Sequence, residues 1–285
     1  MRKMTLLLLV PVLLSGCLVG VDAWDRDASY TTFRSSEPSQ NEQSIQAKIE
    51  LNVGQLLIES GVPGTSYDLD LYYDENAFEP RLDFRRSGDG AHLDFDLDGK
   101  SRVNSGLGKT RLNLKLDPDT RLDLDAQTGV AESEIDLSAL KIVRLHLENG
   151  VGETNVFSAT QNTEICRHIR VENGVGTLKM SGLGNLNFER MEFHGGVGAA
   201  ELDFSGAWQR NAEVDIDVGI GSVEIVLPRS IGAEVRMSKS WLSGIDIRGF
   251  RKDGRTYVSD NRDRVSRVVR ININTGIGGV EVRWR

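Results

Sequence analysis

Residues 214–228, Val-Asp-Ile-Asp-Val-Gly-Ile-Gly-Ser-Val-Glu-Ile-Val-Leu-Pro, decide the fold of this chain. Apolar side chains occupy every second position up to Ile220, and the alternation resumes one position out of phase at Val223. Successive strand residues point to opposite faces, so this shift predicts a corner where the strand bends and keeps its apolar side inward. Glycine is expected there because a sharp bend often requires a positive φ.

The same corner recurs at a nearly constant spacing. Successive corners from Leu107 to Ile220 are 23, 21, 24, 22 and 23 residues apart, and a fixed period of this length is typical of a solenoid. We therefore predict an all-β fold, a single-stranded parallel β-helix or solenoid with rungs of about 22 residues. The corner residues are Val53, Leu107, Val130, Val151, Val175, Val197, Ile220 and Ile277. The structural turn glycines that follow them are Gly54, Gly108, Gly152, Gly176, Gly198, Gly221 and Gly278, with Ala131 in the remaining rung.

Two further features follow from the repeat. The gap between Ile220 and Ile277 holds a degenerate rung at residues 242–247 and an insertion at roughly 249–266. Two positions before each corner the side chain should face inward, and Asn149 and Asn173 should stack there. We predict a structural ladder in which these amides hydrogen-bond along the stack. Its members are Ser105, Thr128, Asn149, Asn173, Gly195, Val218 and Thr275.

The N-terminus has the pattern of an exported lipoprotein. Arg2 and Lys3 precede an apolar run at residues 6–14, which is too short to span a membrane. Leu-Ser-Gly-Cys, ending at Cys17, resembles the bacterial lipobox, in which the cysteine receives a diacylglycerol after the signal is cleaved. We expect a signal peptide over residues 1–16, lipidation of Cys17 and a membrane anchor through that lipid. By the same resemblance, Leu18 favours the outer membrane in a cell with two membranes.

Three regions should follow the signal peptide. Residues 17–43 are polar and lack periodicity, which predicts a lipidated flexible tether. Residues 44–99 contain short alternating strands and a Ser-Gly-Asp-Gly turn at 87–90, which predict an antiparallel N-terminal β cap. Residues 100–285 should form the solenoid, whose exposed end such a cap would cover.

Residues 214–228 and the ending Asn-Thr-Gly-Ile-Gly-Gly-Val-Glu-Val-Arg-Trp, 274–284, resemble the toast-rack β-solenoid family. Residues 49–97 resemble its N-terminal cap. That family includes the extracytoplasmic domain of LiaF-type regulators of the cell-envelope stress response and relatives that resemble adhesin heads. The resemblance implies a non-enzymatic interaction scaffold in the cell envelope with a link to stress sensing. A surface adhesin is the alternative.

Candidate chemistry is sparse. His146, His168 and His194 lie 5, 7 and 3 residues before their corners, offsets too large for shared zinc ligation, and His92 lies in the cap. We expect no metal site, cofactor or catalytic residue, and we interpret Cys166 as a packing residue. Alternating aspartates fit the solvent face of half-buried strands. A carbohydrate-active β-helix enzyme stays open as an alternative because paired carboxylates cleave glycosidic bonds.

The charge of the chain limits the classes of partner that it is expected to bind. The net charge of -8 argues against nucleic acid, whose binding proteins present a basic footprint. Residues 248–270 nevertheless carry eight basic side chains against three aspartates. Such segregation can steer an anionic partner. Candidate contacts with an envelope protein or an anionic envelope polymer are Arg248, Arg251, Lys252 and Arg255, and a solvated loop whose arginines pair with neighbouring rungs is the alternative.

Overall fold

The computed structural model describes residues 28–100, 109–238 and 243–285. Sixteen strands form one sheet. They are β1 (Tyr30–Pro38), β2 (Ser44–Ser60), β3 (Thr65–Asp74), β4 (Phe78–Ser87), β5 (Gly90–Gly99), β6 (Arg111–Leu116), β7 (Arg121–Asp136), β8 (Lys141–Phe157), β9 (Cys166–Ser181), β10 (Phe188–Asp203), β11 (Ala212–Leu227), β12 (Gly232–Met237), β13 (Ser243–Ile247), β14 (Phe250–Asp253), β15 (Thr256–Ser259) and β16 (Val268–Trp284). Within these ranges no helix has the length and hydrophobicity of a membrane span.

The central rungs are strands β7 to β11, which stack in parallel with their corners in register. Val130 pairs with Val151, and Val151 pairs with Val175. The series continues through Val197 to Ile220. We call the part of a rung before its corner the first arm and the part after it the second arm. The predicted all-β solenoid is confirmed.

Alternation along both arms builds the core. In β11 the side chains of Val214, Ile216, Val223 and Ile225 are buried, while the acidic residues between them lie at the surface. The segments that connect successive rungs also contribute buried side chains to this core, including Phe204. The apolar sides of both arms and the connecting segments thus share one hydrophobic core.

The N-terminal end departs from the predicted tether. Residues 30–38 form β1, which pairs antiparallel with β3 from Tyr30 to Glu37. A flexible tether over the whole of 17–43 is therefore wrong for this stretch. The reason is that β3 offers an unpaired edge, and side chains of β1 such as Phe33 pack against the core.

The boundary between cap and solenoid also differs from the prediction. Strand β2 pairs in parallel with β7 along both arms, with Val53 opposite Val130, so it is a full rung of the solenoid. Beyond it, β5 pairs with the first arm of β2 and β6 with the second, as two halves of one split rung. The antiparallel cap consists of the β1–β3, β3–β6 and β4–β5 pairings. The rung predicted at Leu107 therefore stacks on β2 and not on β7; Leu107 and Gly108 themselves lie outside the described residues.

A second split rung ends the solenoid. The last strand, β16, lies directly against β11, and the degenerate rung lies outside it as β12 and β13. Residues predicted as an insertion form the antiparallel hairpin β14–β15, and β15 pairs with β12. The hairpin thereby covers the outer edge of the first arm.

The predicted inward ladder is present as a buried column. Thr128, Asn149, Asn173, Val218 and Thr275 are all buried and in register. Thr128 Oγ1 donates a hydrogen bond to Asn149 Oδ1 at 3.2 Å. The expected bond between the two amides is not formed, because Asn149 Nδ2 and Asn173 Oδ1 have no partner in the described chain. Ser105 lies outside the described residues.

Candidate binding surfaces

The turn glycines adopt a backbone conformation that other residues avoid. Gly54, Gly152, Gly176, Gly198, Gly221 and Gly278 have φ between +127° and +151°. A Cβ on Gly221 would lie 1.7 Å from the carbonyl oxygen of Gly198 in the rung beside it. Equivalent contacts of 1.6 to 1.9 Å occur from Gly152 to Gly278. These glycines therefore allow both the bend and the close stacking of adjacent corners.

A second glycine column was missed in the sequence. It lies immediately before the corner residues, and an added Cβ there would come within 2.3 to 2.8 Å of the carbonyl oxygen of the neighbouring rung. The Gly-x-Gly spacing around each corner was the signal that could have revealed it. Its members are Gly129, Gly150, Gly174, Gly196, Gly219 and Gly276.

Most of the described corner residues face solvent, contrary to the expected inward orientation, and only Val53 among them is buried. Six of them are between 46 and 57% exposed, although all are Val or Ile. The bend turns their side chains outward, and the flanking glycines, or Gly129 and Ala131 at Val130, leave them uncovered. We call this column the corner ridge; it consists of Val130, Val151, Val175, Val197, Ile220 and Ile277. Contiguous exposed apolar surface commonly marks an interaction site.

The outer face of the first arm is occupied by charged side chains that pair across rungs. Arg190 contacts Glu192 at 3.0 Å and Asp215 at 2.8 Å. Arg170 reaches both Glu172 and Glu192. An open depression of about 700 Å³ on this face is lined by paired groups such as Arg190 and Asp215, and also by Arg236 and Arg255. Surface pairs of this kind contribute little to stability individually, and here they leave few free charges.

The histidines contact carboxylates in three separate columns of this face. His146 Nδ1 lies 3.2 Å from Asp125, and His194 Nδ1 lies 3.7 Å from Asp217. His168 Nε2 lies 3.6 Å from Glu192. Across residues 28–100, 109–238 and 243–285, no group of three or more His, Cys, Asp or Glu side chains is placed to hold a metal ion.

Two other candidate groups are placed by the structure. Cys166 is buried, and this burial raises the pKa of its thiol to about 12, so the reactive thiolate is scarce at neutral pH. In the cap, burial and the neighbouring Asp98 raise the pKa of Asp96 to about 6. Asp98 in turn forms a salt bridge with Arg81 at 2.7 Å.

The basic residues of the hairpin fall into two groups. Arg248 pairs with Asp246, and Arg262 pairs with Glu234 of the neighbouring rung. Exposed Arg251, Lys252 and Arg255 form no salt bridge with a described residue, and the Lys252 ammonium lies 5.5 Å from the Tyr257 ring centre. The hairpin therefore presents, at one edge of the sheet, three cations that no described carboxylate neutralises. Cys17 lies outside the described residues.

Comparison with known proteins gives one sequence family and several solved structures at low identity. The chain is similar to a candidate cell adhesion protein from Clostridium sporogenes, at 18% identity with 90% of this chain and 100% of the other covered and a TM-score of 0.46. It is also similar to a candidate adhesin from Bacteroides fragilis, at 15% identity with 90% and 99% covered and a TM-score of 0.42. No curated protein matches. The family of toast_rack N-terminal domains matches residues 25–181 and 159–226, which is more than half of the chain, and the protein belongs to that family.

Proposed function

We propose that this protein is a non-enzymatic binding scaffold of the cell envelope, anchored to a membrane by lipid on Cys17. The observation that carries the proposal is the register of the rungs, which aligns one exposed side chain per rung from Val130 to Ile277 into a continuous surface. Stacked repeats are suited to presenting such extended surfaces to a partner. Adhesion to another cell and envelope stress sensing are two forms that this binding can take.

The anchor rests on the lipobox-like sequence that ends at Cys17. Cys17→Ala should remove the acyl group, because no thiol is then available to accept it, and should leave an uncleaved or soluble protein. Metabolic labelling with radioactive palmitate measures this directly. Acyl label on the Ala variant would exclude Cys17 as the site. Protease added to intact cells tests the adhesin form, since an adhesin must be digested from outside.

The hairpin supports a contact with an anionic component of the envelope, such as acidic lipid head groups or a phosphate-bearing polymer. Arg251 and Arg255 carry planar guanidinium groups, which can donate two hydrogen bonds to one phosphate. Neither they nor Lys252 is neutralised by a salt bridge within the described chain. Because the rest of the protein is acidic overall, such a contact would orient this end of the solenoid toward the anion.

Replacing Arg251, Lys252 and Arg255 by glutamate should abolish sedimentation of the lipid-free chain with phosphatidylglycerol vesicles. The thermal midpoint should stay within a few degrees, because exposed side chains contribute little to the core. Reversing Arg34, Arg81 and Arg85 instead changes the net charge equally at the other end of the sheet and should preserve binding. Binding of the unmutated chain should weaken as salt is added. If the unmutated chain fails to bind the vesicles at low ionic strength, the hairpin is a solvated element that only covers the edge of the sheet.

A further inference from the structure

A shallow groove runs along the second arm beside the corner ridge. Its floor is made of small residues, its first wall is the ridge, and its second wall is a column of charged side chains two positions beyond the floor. The floor residues are Thr177, Ala199, Ser222 and Gly279, with the turn glycines of the same rungs. The first wall is Val175, Val197, Ile220 and Ile277; the second is Lys179, Glu201, Glu224 and Glu281. We call this the corner groove.

Strand geometry gives the size of the groove. Neighbouring rungs are about 4.8 Å apart, so four rungs extend over roughly 15 to 19 Å. The two walls are four residues apart along each strand, or about 13 Å between backbones. Glycine, alanine, serine and threonine leave the space between them open. An extended peptide of about six residues has the matching length.

The second wall is predominantly acidic. Glu201 is paired with Lys179 at 3.0 Å, and Glu224 is paired with Arg283. Glu281 is exposed and forms no salt bridge with a described residue. Asp246 of β13 lies beside Glu281 in the same column and is paired with Arg248. The groove therefore combines an aliphatic wall that is half exposed to water with a carboxylate wall that retains negative charge.

We infer that the corner groove binds an extended segment of a partner protein in which aliphatic residues alternate with Lys or Arg. Successive side chains of an extended segment point to opposite sides. Alternation would place the aliphatic side chains against the ridge and the cations on the side of the second wall, where Glu281 is the carboxylate without a salt bridge to a described residue. Burying the ridge removes apolar surface from water, and the carboxylates select the sign of the partner's charge.

This inference rests on the proposed binding function, which the corner ridge carries, and it concerns a surface separate from the basic hairpin. The acidic wall disfavours an anionic membrane at the groove, because like charges repel. A second copy of this chain would bring its own basic hairpin, and that occupant is tested below as a competing outcome.

The probe is a fluorescent ten-residue peptide of alternating valine and lysine, titrated into the mature lipid-bearing protein in neutral detergent and followed by anisotropy. We expect saturable binding that weakens at least tenfold in Val197→Ser/Ile220→Ser and at least fivefold in Glu281→Lys. Val62→Ser changes a residue that is 70% exposed outside the groove and should bind as the unmutated protein does. The milder Val197→Thr/Ile220→Thr pair keeps branched side chains and should show the same direction of change.

Three results would overturn the inference. The first uses a block peptide of the same composition, with all its valines before all its lysines. If its affinity is within twofold of that of the alternating peptide, the binding is due to charge attraction alone. The ridge variants could keep full affinity. The protein could be a dimer that the ridge variants dissociate, which would assign the groove to a second copy.

The hairpin variant must still bind the peptide, and the groove variants must still bind phosphatidylglycerol vesicles. Failure of this inference is therefore distinguishable from failure of the proposed membrane contact.

Discussion

Replacing Gly221 by alanine should lower the free energy of unfolding by about 3 to 5 kcal/mol. Two costs combine. A φ of +150° is strained for any residue with a Cβ. The new carbon would also lie 1.7 Å from the carbonyl oxygen of Gly198, so the adjacent corners would have to separate. Urea denaturation followed by circular dichroism measures the change.

Two matched variants separate these costs. Gly64 has a φ of +85°, and no atom lies within 4 Å of the position that an added Cβ would take, so Gly64→Ala should cost only about 1 kcal/mol from backbone strain. Gly244 also has open space and lacks a positive φ, so Gly244→Ala should be nearly neutral. Equal stability of all three variants would show that corner stacking does not limit the fold.

One rung has Ala131 at the position where the other unsplit rungs have a turn glycine. Ala131 occupies the same column as Gly152 and pairs with it, but its φ is not positive. The chain there bends without the left-handed conformation. Its rung begins the regular series beside β2, where the neighbouring turn glycine is Gly54. The glycine requirement therefore holds at Gly54 and from Gly152 onward, and Ala131 is the exception among the described rungs that are not split.

Replacing Glu42 by glutamine should cost about 3 kcal/mol of stability at pH 7. The Glu42 side chain is only 4% exposed. Its carboxylate accepts hydrogen bonds from Ser39 Oγ and the Gln40 backbone N–H, each at 2.7 Å, and from the Arg86 guanidinium. Burial by itself raises the pKa of Glu42, but these hydrogen bonds outweigh it and lower the pKa from 4.5 to about 2. Glu42 thus ties the β1–β2 connection to β4.

The sign of the pH dependence follows from the lowered pKa. The charged form is favoured by folding, so its contribution is fully present above pH 4.5 and is lost as the pH falls toward 2. The stability difference between the unmutated protein and Glu42→Gln should therefore shrink over this interval. Glu59, in an exposed pair with Lys115, is the control, and Glu59→Gln should cost less than about 1 kcal/mol at any pH. A pH-independent difference would mean that Glu42 acts through packing alone.

Local features of the fold were predictable from the chain. The period of the corners, the phase shift around Gly221 and the inward alternation of Val214 and Ile216 are encoded over short stretches, because strand geometry has a period of two. The position of the β4–β5 turn followed from its glycines in the same way. For the binding surfaces, the cluster of basic residues around Arg251 was also visible as composition.

Strand order required the tertiary structure. Nothing local to β2 shows that it pairs with β7 across an intervening split rung, or that β16 lies inside β12 and β13. These pairings join residues far apart in sequence. They are selected by which edges remain unpaired when the regular rungs have stacked. The same competition for edges orders residues 30–38 as β1.

The sequence by itself determined a corner-bearing β-repeat, because alternation and glycine spacing are local properties of each rung. The solvent exposure of Val197 and Ile220, and their place in one wall of the corner groove, become evident only in the tertiary structure. Side-chain exposure at a bend depends on the direction in which the chain turns and on what the next rung places beside it. Within one rung, the alternation predicts that a valine before a turn glycine is buried. The bend and the register of the neighbouring rungs instead leave it exposed in the corner ridge.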